Sequence, residues 1–342
     1  MDPSQARSPK AAPEHSPAAV SISASQRLGL IYNTQSGRHR RRWGRHPLPE
    51  HVPAVEANTP DEIERAVIEL AAQNVEVLAV AGGDGTVQCV LGHLLLARHF
   101  GRPPIVALVP TGSTNMTAND VGFVDVRRRG WQPLCAWAEQ AGNDPAALIV
   151  EREVLRIQAS DSQPPFCGMF FGAGAIHHAV QYTQQHLHGM GLRGETGPSL
   201  TFARFLKSIV TGDRRQFSSI RLRLRDDHGH ATDDQTLLLA ASTLNRLVLR
   251  FHPFWGRETA PIAWTAISQN APRFGLRWPL VARGWGRYLP NQPSAGYISH
   301  NSHTLSLDFD DGFIVDGEFY RSCPEDGPVR LSIAGAVRFL SL

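Results

Sequence analysis

The alternation of strand and helix patterns in residues 28–109 constrains the fold more than any other feature of the sequence. Short apolar runs at residues 28–32, 75–81 and 105–109 predict three buried strands, and the amphipathic segments between them predict helices. Strands that alternate with helices in this way form a parallel sheet that is covered by helices. The first half of the chain is therefore predicted to be an α/β domain.

The first of these helices has a complete start signal. Thr59 is the N-cap residue, Pro60 occupies the first helical position and Glu62 completes a capping box. One apolar face follows at helical spacing, and it consists of Ile63, Ala66, Val67, Leu70 and Ala71. A second helix is predicted from residue 86 to residue 98.

The pattern changes after residues 145–152, where short runs of alternating apolar and polar residues begin. Such runs indicate antiparallel strands, and they lie at residues 154–158, 220–224, 236–241, 262–267, 304–309, 313–315 and 329–333. One helical insertion is predicted near residues 199–210. The predicted fold class is therefore α/β plus β, with an α/β domain over residues 27–150 and an antiparallel β-sandwich over residues 151–342. This division leaves open whether the last residues of the chain pack with the first domain.

Residues 1–26 are predicted to form a disordered and dispensable tail, because 16 of them are Pro, Ala or Ser and they show no apolar periodicity. No apolar run reaches the roughly 18 residues that span a bilayer, and the start lacks a secretory signal. These features predict a cytoplasmic protein with peripheral membrane contact. The four cysteines form no CxxC pair, which argues against a zinc site or a disulfide framework and predicts reduced thiols.

Gly82-Gly83-Asp84-Gly85-Thr86 follows the second predicted strand and precedes a helix. Glycines allow close approach of a ligand to the backbone, and the free N–H groups of a helix start favour phosphate. A carboxylate at Asp84 would repel phosphate unless it held Mg²⁺ or accepted a proton from an attacking hydroxyl. The alternative is a simple strand-to-helix turn in which Asp84 caps the helix.

The cation content limits how a phosphate could be bound. Only Lys10 and Lys207 are lysines, which leaves 32 arginines among the 34 cationic residues. The GxxxxGK[ST] pattern is absent, so a P-loop nucleotide site is excluded. A phosphate site in this chain must use arginine, backbone N–H groups or a metal ion.

The glycine-rich segment resembles the signature of the diacylglycerol kinase catalytic domain family, which includes sphingosine, ceramide and bacterial lipid kinases and is related in fold to NAD kinases. Five further segments resemble motifs of that family in the same order. They are Asn33-Thr34-Gln35-Ser36-Gly37, Pro110-Thr111-Gly112-Ser113-Thr114-Asn115, Ala118-Asn119-Asp120-Val121-Gly122, Phe171-Gly172-Ala173-Gly174-Ala175 and Asp316-Gly317-Glu318. The resemblance extends over about residues 27 to 320.

The resemblance implies an ATP- and Mg²⁺-dependent kinase that phosphorylates a hydroxyl of a membrane lipid, of the diacylglycerol, ceramide or sphingoid type. It implies catalytic roles for Asp84, Asp316 and Glu318, and it assigns no metal ligands. Nucleotide contacts are implied at Asn33, Ser36, Gly37, Gly82, Gly83, Gly85, Thr86, Gly112, Ser113 and Asn115. The implied partners are the lipid substrate and an anionic surface at the inner face of the membrane, without nucleic acid.

Several residues depart from the family pattern. Thr34 replaces a proline, and Met116 stands where some members carry aspartate. The Asn-Gly and Asp-Asp-Gly signals expected near residues 240–260 are missing, which leaves the acceptor lipid open. Within the acidic stretch from Asp308 to Glu318, residues 310–312 are predicted to form an ordinary hairpin turn.

Two basic segments are candidates for membrane contact. Residues 38–45 form an arginine-rich loop that suits ATP phosphates, an anionic membrane or plain solvent exposure. Residues 273–288 interleave arginine with aromatic residues, as at a bilayer interface, although a helix that buries its aromatics is an alternative. Two rival functions also stay open: a kinase of a soluble acceptor, and a non-catalytic protein that binds lipid or nucleic acid.

Overall fold

A computed structural model describes residues 27–36, 48–139, 148–190 and 219–342 of this chain, without the side chains of residue 148 and residues 183–190. The predicted tail, the arginine-rich loop of residues 38–45 and the helical insertion near residues 199–210 lie outside the described residues. Nothing in the structure therefore bears on those three predictions.

The described part contains fifteen strands. Those of the first half are β1 (Leu28–Tyr32), β2 (Ala54–Glu56), β3 (Val77–Gly82), β4 (Ile105–Pro110), β5 (Leu148–Gln158), β6 (Phe166–Gly168) and β7 (Phe170–Gly174). Those of the second half are β8 (Ile220–Asp226), β9 (Ala231–Ser242), β10 (Ile262–Ser268), β11 (Tyr297–Ser302), β12 (Leu305–Asp308), β13 (Gly312–Val315), β14 (Glu318–Arg321) and β15 (Val329–Ser341).

The same part contains seven α-helices, most of them short. They are α1 (Pro60–Ala72), α2 (Asp84–Gly92), α3 (Met116–Val121), α4 (Val126–Arg129), α5 (Gln132–Glu139), α6 (Ala175–Met190) and α7 (Phe274–Ala282). None of the helices in these described ranges has both the length and the apolar character needed to cross a membrane. All four cysteines are free thiols, as predicted.

The start of α1 confirms the predicted capping box. The Thr59 side chain accepts a hydrogen bond from the Glu62 backbone N–H, and the Glu62 carboxylate accepts one from the Thr59 N–H. The second helix differs from its prediction because it begins at Asp84 rather than residue 86. The N-cap residue is Gly83, in an extended conformation. Asp84 thus lies inside the first helical turn instead of in the preceding loop.

The strands form one mixed sheet in which a parallel part continues into an antiparallel part. Strands β2, β1, β3 and β4 pair in parallel in that order, and β15 adds in parallel to the edge of β4. From β15 onward the sheet continues through β12, β8, β9, β7 and β13 to β14, with antiparallel pairing throughout. The predicted sandwich arrangement and the division into two domains stay predictions.

The elements missed by sequence reasoning are short strands and the four helices α3, α4, α5 and α6. Strands β2, β6, β11 and β14 have three to six residues, and β7 was interpreted only as a glycine-rich run. Helix α6 follows β7 directly, and its polar composition does not stand out in the sequence. Short strands depend on the pairing edge that neighbours offer, and a local pattern cannot supply that information.

The predicted hairpin turn at residues 310–312 is wrong. Strand β12 pairs with β8 and β15, whereas β13 pairs with β7 and β14, so the two strands on either side of this turn are not partners. The hairpin lies six residues later, where Asp316 and Gly317 connect β13 to β14. Both residues have positive φ angles, of 52° and 94°, as a two-residue type I′ turn requires.

Glu258 is a partly buried carboxylate whose ionised form is stabilised by hydrogen bonds in the antiparallel part of the sheet. Its carboxylate lies 2.6 Å from Nδ1 of His300 and accepts the Asn301 N–H at 2.9 Å. Partial burial opposes ionisation, but these hydrogen bonds outweigh burial and lower the pKa of Glu258 to about 2. Because the folded pKa is the lower one, this contribution to stability is present above the unfolded pKa and disappears as the pH falls toward 2.

We therefore expect Glu258→Gln to reduce the free energy of unfolding at neutral pH by roughly 1–3 kcal/mol. The difference from the unsubstituted protein should shrink steadily below about pH 4.5. Denaturant unfolding across this pH range measures it, with the exposed Glu325→Gln as the matched control that should change little. A loss of stability that is independent of pH would contradict the assigned charge effect.

Candidate active site

Three loops meet at the carboxyl ends of the parallel strands. They follow β1, β3 and β4, which are neighbours in the sheet. The N–H of Asn33 donates to the carbonyl of Ala81, and the N–H of Thr111 donates to the carbonyl of Gly82. This edge of an open α/β sheet is where ligands bind most often, because the loops diverge there and leave a crevice.

The loop after β1 is held by the Asn33 side chain. Its Oδ1 accepts the N–H groups of Gln35 and Ser36, and its Nδ2 donates to Oγ1 of Thr86 at the start of α2. Thr34 donates its own N–H to Asn58 at 2.9 Å, a bond that a proline could not make. The departure of Thr34 from the family pattern thus has a local structural reason.

The two glycine loops approach each other closely. A Cβ atom on Gly112 would lie 2.6 Å from the Cα of Gly83, so the backbones could not pack this way with a side chain at residue 112. The Asn115 side chain fixes the second loop by accepting the Gly112 N–H and donating to the Gly112 carbonyl. Helix α2 has no side-chain cap at its N-terminus. Its first N–H groups are therefore left for a ligand.

Asp84 does not cap its own helix. Its Oδ1 instead accepts the N–H of Thr117 at 3.3 Å, at the start of α3. The alternative of a helix-capping aspartate is therefore correct in part, but the capped helix belongs to the next loop. The contact places the carboxylate between the two glycine loops.

The β13–β14 hairpin brings two more carboxylates to the same place. Asp316 is buried, and its two oxygens accept the N–H groups of Met169 and Phe170, each at 2.9 Å. Glu318 follows at the start of β14, with its Oε1 against α2, where a Cβ on Gly85 would lie 2.5 Å away. The hairpin of the antiparallel part thereby faces the phosphate-type loop of the parallel part.

The electrostatics of these carboxylates are set by burial. Burial raises the pKa of Asp84 to about 6, although the N–H groups at the start of α3 work in the opposite direction. Burial, together with the charge of Asp84, raises the pKa of Asp316 to about 8. The charge of Asp84 thus opposes the ionisation of Asp316, and a cation near the two groups would offset that repulsion.

One cleft of about 1540 Å³ contains these groups. One part is lined by the loops after β1, β3 and β4. Another part is apolar and is lined by α6, β9, α7 and residues 246–251, with side chains that include Ile176, Val180, Leu238, Leu247, Val248, Phe251, Trp278 and Val281. Asp84, Asp316 and Glu318 also line this cleft, so its acidic, polar and apolar walls belong to a single space.

Most of the predicted site residues meet in this cleft. Its walls include Asn33, Ser36, Gly83, Gly85, Thr86, Gly112 and Ser113, with all three predicted catalytic residues. Two predicted residues do not line it in the described part of the chain. Gly82 lies against the Thr86 side chain, since a Cβ on Gly82 would be 2.4 Å from the Thr86 Cβ. The Asn115 side chain does not line the cleft but accepts the Gly112 N–H. Gly37 lies outside the described residues.

Among the polar cleft residues that were not predicted from the sequence, two are hydrogen-bonded to each other. Gln88 donates from Nε2 to the Tyr320 hydroxyl at 3.0 Å, and both residues line the cleft. Tyr320 stands two residues after Glu318 in β14, so strand alternation puts both on one face. That spacing was a usable signal for Tyr320. No local signal distinguished Gln88 within its helix.

The close approach of the two glycine loops yields a stability prediction. Gly112→Ala should force the backbones of the loops apart and lower the free energy of unfolding by roughly 1–3 kcal/mol. Gly92→Ala is the matched control, because a Cβ there meets nothing within 4 Å and alanine favours helix. Thermal unfolding of both variants measures the effect. Equal stability of the two variants would contradict the tight contact between the loops.

Comparison with known proteins agrees with this geometry. A diacylglycerol kinase structure from Bacillus anthracis strain Sterne is similar to this fold with a TM-score of 0.56 at 11% identity, and the match covers 91% of this chain and 96% of the other. Two further structures from that organism give TM-scores of 0.60 and 0.59, both at 13% identity with the same coverage. At these identities the likeness concerns the fold alone.

No curated protein gives a significant match to this sequence. A family model, described as the diacylglycerol kinase catalytic domain, matches residues 27–132. That segment contains the loops after β1, β3 and β4, with Asp84 and both glycine loops. The family resemblance predicted from the motifs is thereby confirmed for residues 27–132, which are similar to the diacylglycerol kinase catalytic domain family.

Proposed function

We propose that this protein is a kinase that transfers the γ-phosphoryl group of ATP to a hydroxyl of a membrane lipid. The observation that carries the proposal is the single cleft in which glycine loops, three carboxylates and an apolar wall meet. Glycine loops bind the phosphates of a nucleotide, carboxylates assist phosphoryl transfer, and an apolar wall binds an acyl chain. The lipid is of the diacylglycerol, ceramide or sphingoid type, since these share a hydroxyl next to long apolar chains.

The loops suit the phosphates of ATP because of their backbone. The uncapped start of α2 offers N–H groups, and the absence of side chains at Gly83 and Gly112 lets the two loop backbones lie side by side in the wall of the cleft. Asn33, Ser36 and Ser113 add polar groups on either side. The described residues contain no lysine, because Lys10 and Lys207 both lie outside them.

The acidic cluster suits a divalent cation such as Mg²⁺. Hard cations bind carboxylate oxygens, and Asp84 and Asp316 are two carboxyl groups whose mutual repulsion a cation would relieve. Glu318 offers a third carboxylate in the same cleft. A bound cation would neutralise charge on the transferred phosphoryl group.

In this proposal the acceptor hydroxyl is oriented and deprotonated by Asp84. Its oxygen forms a bond to the γ-phosphorus, the bond from that phosphorus to the bridging oxygen breaks, and ADP leaves. The proton of the hydroxyl passes to the Asp84 carboxylate. Glu318 faces the same space, while Asp316 has both oxygens engaged by backbone N–H groups and fixes the hairpin that positions Glu318. Positioning and charge neutralisation supply most of the rate enhancement.

The apolar wall favours a lipid acceptor over a soluble one. A kinase of a polar soluble acceptor would leave side chains such as Ile176, Leu238 and Trp278 facing water in the cleft, at a cost in free energy. A non-catalytic binding protein would not need three carboxylates beside the phosphate-type loops. We place the protein at the cytoplasmic side of the membrane, as a peripheral protein.

The proposal predicts that Asp84→Asn lowers the rate by on the order of 10² to 10⁴ while the protein stays folded. Asp61→Asn is the matched control, since Asp61 occupies the first turn of α1 as Asp84 does in α2. Labelled ATP, a total lipid extract and mass spectrometry of the product measure the rate and identify the lipid. Unimpaired turnover by folded Asp84→Asn would rule out the catalytic role, and no labelled lipid with the unsubstituted protein would reject the function.

The raised pKa values predict how stability depends on pH and Mg²⁺. Because the folded pKa values of Asp84 and Asp316 are the higher ones, their contribution is complete at acidic pH and is lost as the pH rises through about 6 and 8. The melting temperature should fall as the pH rises over this range. At the highest pH values, millimolar Mg²⁺ should restore part of the lost melting temperature. Asp84→Asn should reduce the effect of Mg²⁺, and an equal effect in both proteins would contradict this cation site.

A further inference from the structure

The charge of residues 243–303 is strongly one-sided. This segment contains seven arginines and a single acidic residue, Glu258. The Glu258 carboxylate is already engaged by His300 and Asn301. Six of the seven arginines are exposed, namely Arg246, Arg250, Arg257, Arg273, Arg283 and Arg287. Such a surface attracts anions and repels cations.

Large apolar side chains are exposed in the same segment. Leu276 is 78% exposed, and Leu249, Trp285 and Tyr288 are about half exposed. These are four of the seven large hydrophobic residues that are exposed in the described part of the chain, although the segment is less than a quarter of that part. Their concentration in one segment differs from the scattered single residues that are normal on a protein surface.

One of these residues, Leu249, is half exposed and also lines the cleft, and it lies in a strained turn. Leu249 and Arg250 have φ angles of 57° and 59°, a left-handed conformation that is unfavourable for residues other than glycine. Two such residues in succession form a tight turn with leucine and arginine at its tip. A conformation of this kind persists only when the surrounding structure enforces it, and such strain is most common at functional sites.

The two parts of the segment pack together. The N–H of His252 donates to the Ala282 carbonyl at 2.9 Å, and the Phe251 ring lies edge-on to Trp278 with centroids 6.2 Å apart. Gly284 lies so close to residues 252 and 254 that a Cβ would approach their carbonyl oxygens to 2.5 and 2.4 Å. The turn at residues 248–250 is thus fixed to α7 and the loop that follows it.

Aromatic and arginine side chains form pairs in this region. The Arg283 guanidinium lies 5.6 Å from the Trp285 ring centroid, and that of Arg287 lies 4.6 Å from the Tyr288 centroid. Residues 273–288 contain both buried and exposed aromatic side chains, and their predicted contact with a bilayer stays a prediction. Phe274 is buried in the core, as a packing helix requires, whereas Trp285 and Tyr288 are exposed.

The surface borders the apolar part of the cleft. Leu247, Val248 and Phe251 line the cleft beside the turn, and Trp278 and Val281 line it from α7. The exposed residues Leu276, Trp285 and Tyr288 belong to the same two segments but are not among the cleft residues of the described chain. The same segments therefore have one side toward the cleft and another toward solvent.

We propose that this surface binds an anionic lipid bilayer. We call it the docking face, and its residues are Leu249, Arg250, Arg273, Leu276, Arg283, Trp285, Arg287 and Tyr288. The proposal rests on the proposed function for its purpose, since a lipid must pass from a bilayer into the apolar part of the cleft. Arginines bind the headgroups, and leucine, tryptophan and tyrosine enter the interface. A nucleic acid would match the arginines but would leave the leucines without an apolar partner.

The test is vesicle co-sedimentation of the full chain, without ATP. The two docking-face variants are Arg273→Glu/Arg283→Glu/Arg287→Glu and Leu276→Ser/Trp285→Ser. The matched controls are Arg127→Glu/Arg128→Glu/Arg129→Glu, at three exposed arginines of α4, and Ile68→Ser, at an exposed apolar residue of α1. Vesicles of pure phosphatidylcholine and vesicles with added phosphatidylserine separate the two kinds of interaction.

We expect the charge-reversal variant to bind phosphatidylserine vesicles more than about tenfold more weakly at low salt. The apolar variant should lose binding that persists at high salt, because salt screens charges and leaves apolar insertion intact. Both controls should bind as the unsubstituted protein does. Equal binding by all variants, or no preference of the unsubstituted protein for phosphatidylserine, would overturn the proposal.

Two further measurements separate this proposal from its alternatives. Lipid phosphorylation in detergent micelles should be unchanged in both docking-face variants, since their residues do not line the cleft; a loss there would indicate damage to the fold and overturn the assignment. Tighter binding of a short DNA duplex than of phosphatidylserine vesicles would favour nucleic acid and reject the bilayer. Vesicle binding through the docking face without any lipid phosphorylation would retain the docking face and reject the proposed function.

Discussion

The geometry of the site depends on the two hydrogen bonds that the Asp316 carboxylate accepts from Met169 and Phe170. Asp316 occupies a left-handed position in a type I′ turn, where aspartate is tolerated far better than a bulkier residue. Its carboxylate then fastens the hairpin to the chain between β6 and β7. This attachment acts together with the pairing of β13 with β7 and the bond from Gln88 to Tyr320, and it helps to fix Glu318 and Tyr320 relative to α2. A local turn preference and two buried hydrogen bonds thus bring an element near the end of the chain to a loop near its beginning.

The same arrangement carries an electrostatic cost. Asp316 must be buried to bind those N–H groups, and Asp84 is partly buried where it faces the start of α3. Burial raises the pKa of both carboxyl groups, and the charge of Asp84 raises that of Asp316 further, so ionisation of these groups lowers the stability of the folded protein at alkaline pH. If the site binds a cation as proposed, the cation would offset this cost. Functional sites often give up stability in this way.

The cleft and the docking face are two sides of the same segments. Residues 246–251 and α7 supply apolar walls to the cleft, and the same residues together with the loop after α7 expose leucine, arginine and aromatic side chains to solvent. A bilayer against that outer side would share its apolar interior with the cleft. The phosphate-type loops come from the parallel part of the sheet, and most of the apolar lining comes from the antiparallel part and its helices. Under the proposed function, nucleotide and lipid would therefore contact different parts of the fold, with the three carboxylates lining the same cleft.

The sequence by itself determined the elements whose signals are local. The capping box at Thr59, strands β1, β3 and β4 with the turns that follow them, and the family of residues 27–132 could all be predicted from short stretches. Tertiary structure alone decided which hairpin exists, since Asp310–Gly312 and Asp316-Gly317 both look like turns, and only the pairing of β13 with β14 selects the second. It also decided that Asp84 caps α3 and that Gln88 meets Tyr320, 232 residues away. Contacts of this length depend on how distant strands pair, and pairing is fixed by the whole packed sheet rather than by any segment of it.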